Sequence, residues 1–144
     1  MGTGTSAVAL LQRPVMMRGI RLGDPFDVVL DADSMRVVGI EVLCGDDVHR
    51  FLPLPAARIR PGEIAVGSAL LLLEERDADF YRRHGRTFRS LQGATVERGG
   101  MSLGELEDLL IDEDGEIVAL QAGGERVALD THVAITAMRK ASVA

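Results

Sequence analysis

The sequence predicts an all-β protein made of two tandem small β-barrels joined by a short helix. Three observations carry that prediction: an internal repeat, tight-turn residues between short apolar runs, and a charged segment of different texture between the two copies. Self-similarity at a fixed spacing reveals the building unit of a chain, so the repeat comes first. The segment Leu22-Gly23-Asp24-Pro25-Phe26-Asp27-Val28-Val29-Leu30-Asp31-Ala32-Asp33 recurs 81 positions later as Leu103-Gly104-Glu105-Leu106-Glu107-Asp108-Leu109-Leu110-Ile111-Asp112-Glu113-Asp114. After a one-residue gap, Val37-Val38-Gly39-Ile40-Glu41 lines up with Ile117-Val118-Ala119-Leu120-Gln121. Arg50-Phe51-Leu52 through Arg58-Ile59 lines up with Arg126-Val127-Ala128 through Ala134-Ile135. Upstream, Leu11-Gln12 and Arg18-Gly19 match Leu91-Gln92 and Arg98-Gly99. The order is kept and the gaps fall in turn-like stretches, so the duplicated unit is about seventy residues long.

The elements follow in chain order. Residues 1–7 read as a flexible leader, residues 8–74 as the first repeat, 75–85 as a helical linker and 86–140 as the second repeat. In the first repeat Ile40, Val42 and Cys44 alternate with Glu41 and Leu43, as a strand with one buried face requires. Asp31-Ala32-Asp33-Ser34 and Gly45-Asp46-Asp47 supply its turns. Leu70 to Leu73 breaks the alternation and calls for cover on both faces, between the barrels or across a subunit boundary. The segment Glu74 to Gly85 has acids early, bases late and a terminal Gly, the order that suits a helix dipole. In the second repeat Asp114-Gly115 and Gly123-Gly124 each separate two apolar runs, the pattern of a hairpin.

Composition excludes whole classes of function. At 144 residues there is room for one average domain or two very small ones. Apolar residues at 47% and charged residues at 26% describe a soluble globular chain. A net charge of −6, with no Trp, one Tyr and four Phe, argues against nucleic-acid binding and base-stacking platforms. One Cys excludes a disulfide framework, and three scattered His offer no metal-ligand spacing, so neither a cofactor nor a metal is expected. The longest nearly apolar run, residues 64–73, is about half of what a bilayer span needs. Met1-Gly2-Thr3-Gly4-Thr5-Ser6 lacks the basic start and apolar stretch of a secretory signal. The expectation is a cytoplasmic protein.

Each repeat shows a small-residue turn, a strand ending in Asp, a second turn and a strand carrying Val-Val-Gly or its equivalent. These are Gly23 to Asp31 with Val37-Val38-Gly39-Ile40, and Gly104 to Asp112 with Ile117-Val118-Ala119-Leu120. On these residues the chain resembles the PRC-barrel family, named for the H subunit of the photosynthetic reaction centre. Phe51-Leu52-Pro53-Leu54 looks like that family's returning strand. The resemblance covers nearly the whole chain as two tandem copies. It implies small, strongly bent barrels serving as adaptors, including in a bacterial ribosome maturation factor. The family shares no catalytic residues, so none carries over, and only the adaptor role transfers.

Candidate sites weigh unequally. Cys44 and His49 would face each other across a four-residue loop, and a His-activated thiolate is a nucleophile. Cys44 shares the face of Ile40 and Val42, however, where a small buried thiol is common. Asp112-Glu113-Asp114-Gly115-Glu116 suggests a calcium loop, but its Gly stands fourth rather than sixth, so it reads as a turn. Charge distribution says more. Residues 1–75 carry a net −3, residues 101–144 a net −6 and residues 76–100 a net +3. Phe80, Tyr81, Arg82, Arg83, Arg86 and Phe88 form the one basic and aromatic cluster and are the candidate contact residues for an unidentified protein partner. Barrel edges that favour pairing point to a homodimer as well. The reading is therefore a non-catalytic adaptor. The alternatives are a small-ligand or ion-sensing module with a pocket between the barrels, and a Cys44-dependent thiol enzyme.

Overall fold

In the computed structural model, which describes residues 4–31, 33–74, 79, 83 and 85–136, tight turns set the strands. The chain begins with β1 (Thr5–Ser6) and the single-turn helix α1 (Ala7–Leu10). The first repeat continues with β2 (Val15–Met17), β3 (Ile20–Asp31), β4 (Arg36–Cys44), β5 (His49–Pro53), β6 (Ala57–Ile59) and β7 (Ile64–Val66). The second supplies β8 (Gly85–Thr87), α2 (Phe88–Leu91), β9 (Thr95–Arg98), β10 (Met101–Ile111), β11 (Ile117–Ala122), β12 (Glu125–Ala128) and β13 (Val133–Ile135). Arg18 and Gly19 turn β2 into β3 with φ of 49° and 81°, and Gly99 and Gly100 repeat that turn with 57° and 87°. Two consecutive positive φ values match the right-handed twist of a hairpin.

The predicted all-β class holds, and each repeat supplies all but one strand of one sheet. One sheet runs β5-β4-β3-β2-β7-β6 and the other β12-β11-β10-β9-β13. Each long strand is bent at bulges, β3 near Asp27 and Leu30, β10 near Ser102, Asp108 and Ile111. Gly39 in β4 is required by a close approach, since a Cβ there would lie 2.6 Å from the Leu52 carbonyl oxygen and inside the Phe51 ring.

The boundary between the repeats differs from the expectation. Strand β1 pairs with β10 of the second repeat, Thr5 opposite Ile111. Strand β8 pairs with β3 of the first, Arg86 opposite Leu30. Moving Thr5 forward by 81 and Ile111 back by 81 gives Arg86 and Leu30, so each repeat lends its opening strand and helix to the other repeat's sheet. Thr5–Ala7 are therefore structured, not a loose leader, and Gly85 lies in a strand. Of the predicted linker helix, only Glu74, Asp79, Arg83 and Gly85 belong to the described residues. Asp79 and Arg83 are helical and pair at 2.7 Å.

The same exchange corrects the upstream register of the repeat. Leu10 and Leu91 are the matching core residues, as are Val15 and Val96, so the spacing there is 81 and not 80. Where the two sheets meet, the Val37 amide donates to the Gly115 carbonyl at 2.7 Å and the Ile117 amide donates to the Met35 carbonyl at 3.3 Å. Residues 35 and 37 stand to 115 and 117 as the latter stand to the former, the reciprocity of a twofold-related pair. One continuous core takes Leu10, Val28, Leu30 and Ile40 from the first repeat and Leu91, Leu106, Leu109 and Leu120 from the second. The repeats are thus interlocked halves of one body.

Leu70 to Leu73 is also more divided than its apolar run suggests. Ala69–Leu71 form a 3-10 turn capped by the Ser68 hydroxyl. Leu72 enters the common core, and Leu73 packs with Phe51, Val29 and Val38 on the opposite face of the first sheet. Leu73 also exchanges two backbone hydrogen bonds with Phe51, at 2.8 and 2.7 Å, and so covers the edge of β5. Leu70 is left 90% exposed.

Candidate functional site

The contact residues read from the sequence are not all on one surface. Phe88 opens α2 and is fully buried in the common core, so its ring offers no contact surface. A Phe preceded by the capping Thr87 is the apolar anchor of a short helix, which the cluster's composition does not reveal. Arg86 lies half-buried in β8, and Arg83 is exposed and paired with Asp79. Phe80, Tyr81 and Arg82 lie outside the described residues.

Cys44 and His49 do not form a dyad. The turn places His49 opposite Leu43, and the imidazole packs edge-on against Phe26 with ring centroids 4.6 Å apart. Cys44 is buried on the other face, where its neighbour is Arg50. The Arg50 guanidinium grips Asp46 through two hydrogen bonds of 2.9 and 3.0 Å and lies 3.9 Å from Glu74. Bonding to Asp46 and to Cys44 pushes the guanidinium pKa up. Cys44, Arg50, Leu70 and Leu73 line an open cleft of about 500 Å³.

The acidic turn of the second repeat bonds to itself. Asp112 Oδ1 accepts the amides of Asp114 and Glu116, each at 2.9 Å, as a turn-forming aspartate does. Among the described residues, no group of three or more His, Cys, Asp or Glu side chains is placed to hold a metal ion. No helix among them is long and apolar enough to cross a membrane.

Two carboxylates carry a pH signature. The Arg50 hydrogen bonds hold Asp46 below its ordinary value of 3.8, and the His132 amide with Arg98 does the same for Asp130. A carboxyl with a depressed folded pKa adds stability above its unfolded value and loses it as pH falls through the folded one. Stability should therefore decline as pH falls below 3.8. Urea unfolding should show a flatter acid limb in the Asp46→Asn, Asp130→Asn double variant, and an unchanged limb would remove these groups from the account.

The surface holds apolar groups that the sequence reading did not single out. Ile20 is 58% exposed and Met101 74% exposed, each the first residue after a β2–β3 or β9–β10 hairpin turn. Their position one residue past a Gly turn was the available signal. The hairpin β6–β7 is a second feature the repeat alignment passed over. Beside β2 sits β7, parallel, with β6 beyond it, whereas beside β9 sits β13, antiparallel. The sequence match of Arg58-Ile59 to Ala134-Ile135 is therefore not a match in sheet position. No protein-family model matches the chain, and comparison with curated proteins returns no match.

Proposed function

We propose that the protein is a non-catalytic adaptor of the PRC-barrel kind, working in the cytoplasm by binding another protein. The observation that carries this reading is Leu70, 90% exposed beside the partly exposed Leu71, on a turn whose neighbours Leu72 and Leu73 are packed. Leu70 and Leu71 together present adjacent apolar surface that a bound protein would remove from water. The tagged full-length chain should capture a specific partner from native cell lysate, and Leu70→Glu bait should lose it. Loss on bait carrying Arg82→Glu and Arg83→Glu would instead put the contact on the basic segment. Absence of any specific partner would overturn the adaptor reading.

A second reading has its own support, a small-ligand or ion-sensing module. Two open clefts of about 410 and 390 Å³ lie where the repeats meet, lined by residues of both, including Leu54, Arg58 and Glu113 in one and Arg36, Asp114 and Glu116 in the other. A ligand-dependent rise in melting temperature would favour it, since a ligand of the folded state stabilises by mass action.

A further inference from the structure

We infer that the cleft between the β6–β7 hairpin and the Ala69–Leu71 turn binds an acidic, apolar peptide segment of a partner protein. This inference rests on the adaptor reading and names its partner chemistry. The cleft encloses about 520 Å³, with Ala56, Val66 and Leu71 as apolar wall and Arg58 and Arg60 as the charged groups on its lining. That volume lies within the roughly 300–1,000 Å³ of ordinary ligand clefts.

Three arguments lead to this occupant. The first is asymmetry. The second sheet closes against β9 with β13 and the first closes against β2 with β7, which buries Ile64 and Val66 in the shared core as β13 buries Val133 and Ile135. Beyond β7 the first sheet carries β6, which has no counterpart beyond β13 among the described residues and so is the strand available to a partner. The second argument is charge. Arg58 is exposed and makes no ion pair among the described residues, and Arg60, just past the end of β6, lines the same cleft. Arg13 donates to the Arg60 carbonyl at 2.9 Å, which brings a third guanidinium to the hairpin. The local acid is Glu63, 3.8 Å from Arg60 in an exposed, weak pair. A cationic group of this kind on a chain of net charge −6 selects carboxylates locally. Asp112 and Glu113 face β6 across a separate cleft and form no ion pair with Arg58 among the described residues. The third argument is the apolar wall with Leu71 and the adjacent Leu70, which a free inorganic anion would leave uncovered. An anionic bilayer also offers apolar and negative groups, but the overall negative charge opposes its approach.

The test selects displayed random dodecapeptides on the full-length chain and measures the winning peptides by fluorescence polarisation. Selected sequences should combine Asp or Glu with Leu, Ile or Phe. Arg58→Glu with Arg60→Glu should weaken them by at least about tenfold, and Arg58→Lys with Arg60→Lys should retain most binding. Both variants should keep the wild-type circular dichroism spectrum, because the two side chains lie at the surface. Failure to enrich peptides, enrichment without acids, equal binding by the double Glu variant, or binding only to phosphatidylglycerol vesicles would each overturn the inference. Lysate partners captured equally by wild type and the double Glu variant would overturn it while leaving the adaptor reading intact. Loss of every lysate partner from the wild type would count against the adaptor reading itself.

Discussion

Replacing Leu10 and Leu91 together by alanine should unfold most of the protein near room temperature, and each replacement alone should weaken it by a similar amount. Both side chains are buried to 1% exposure or less, and both belong to the one core that spans the repeats. A buried Leu→Ala change costs about 2–5 kcal/mol through lost transfer energy and the cavity left behind. Two such losses approach the roughly 5–15 kcal/mol that holds an ordinary domain together. The equality is the sharper part of the expectation. Leu10 lies on a four-residue helix close to the chain's start, where truncation and substitution are commonly harmless. It is costly here because α1 and β1 sit in the second sheet as α2 and β8 sit in the first. Urea unfolding of the two single variants and the double variant would measure it. A Leu10→Ala effect of a few tenths of a kcal/mol would mean that β1–α1 does not close the second sheet.

The duplicated strands were legible because strand pairing and turn chemistry are written locally. Asp114-Gly115, Gly123-Gly124 and the Val37-Val38-Gly39 pattern mark their own turns and faces, and the structure keeps them in adjacent antiparallel strands. The exchange of β1 and β8 was not legible. A pairing of two or three residues leaves no periodicity, and similarity between two copies cannot say which copy's sheet a segment joins. Phe88 does not belong to the basic and aromatic surface for a related reason. Composition groups Phe88 with Arg86, but Thr87 between them is a helix cap that turns the chain inward. The Leu70 to Leu73 run calls for cover on both faces only as a strand, whereas a 3-10 turn sends Leu70 outward and Leu72 inward. A strand carried by one copy alone, such as β6, is mismatched by a reading organised by what the copies share, which sets its Arg58-Ile59 against Ala134-Ile135 of β13.

Asp27→Ala should cost about 1–3 kcal/mol, with Asp108→Ala costing less, because each carboxylate ties a short helix to a long strand and only Asp27 is buried. Asp27 Oδ1 accepts the Val28 amide at 2.9 Å and the Arg89 amide, in the first turn of α2, at 3.0 Å. Asp108 Oδ1 accepts the equivalent pair, Leu109 at 2.8 Å and Val8 at 3.0 Å, and its other oxygen accepts from the Ser6 hydroxyl. A helix of four residues satisfies little of its own first turn, so a carboxylate from the neighbouring strand supplies an acceptor for one of the free amides. Alanine would leave the buried Val28 amide and the part-buried Arg89 amide without that partner, whereas water can reach the exposed Val8 amide beside Asp108. Asparagine at position 27 keeps an acceptor oxygen and should recover much of the loss, which separates the hydrogen bonds from simple loss of volume. Equal destabilisation by Asp27→Asn and Asp27→Ala would show that the negative charge, and not the acceptor, holds α2 in place. The same substitutions probe the architecture. A carboxylate in the first repeat that fixes a helix of the second, matched 81 residues later by the reverse arrangement, makes the stability of either half depend on the other. Denaturation followed separately at the amide NMR signals of β4 and of β11 should therefore show one shared transition for wild type and for both aspartate variants.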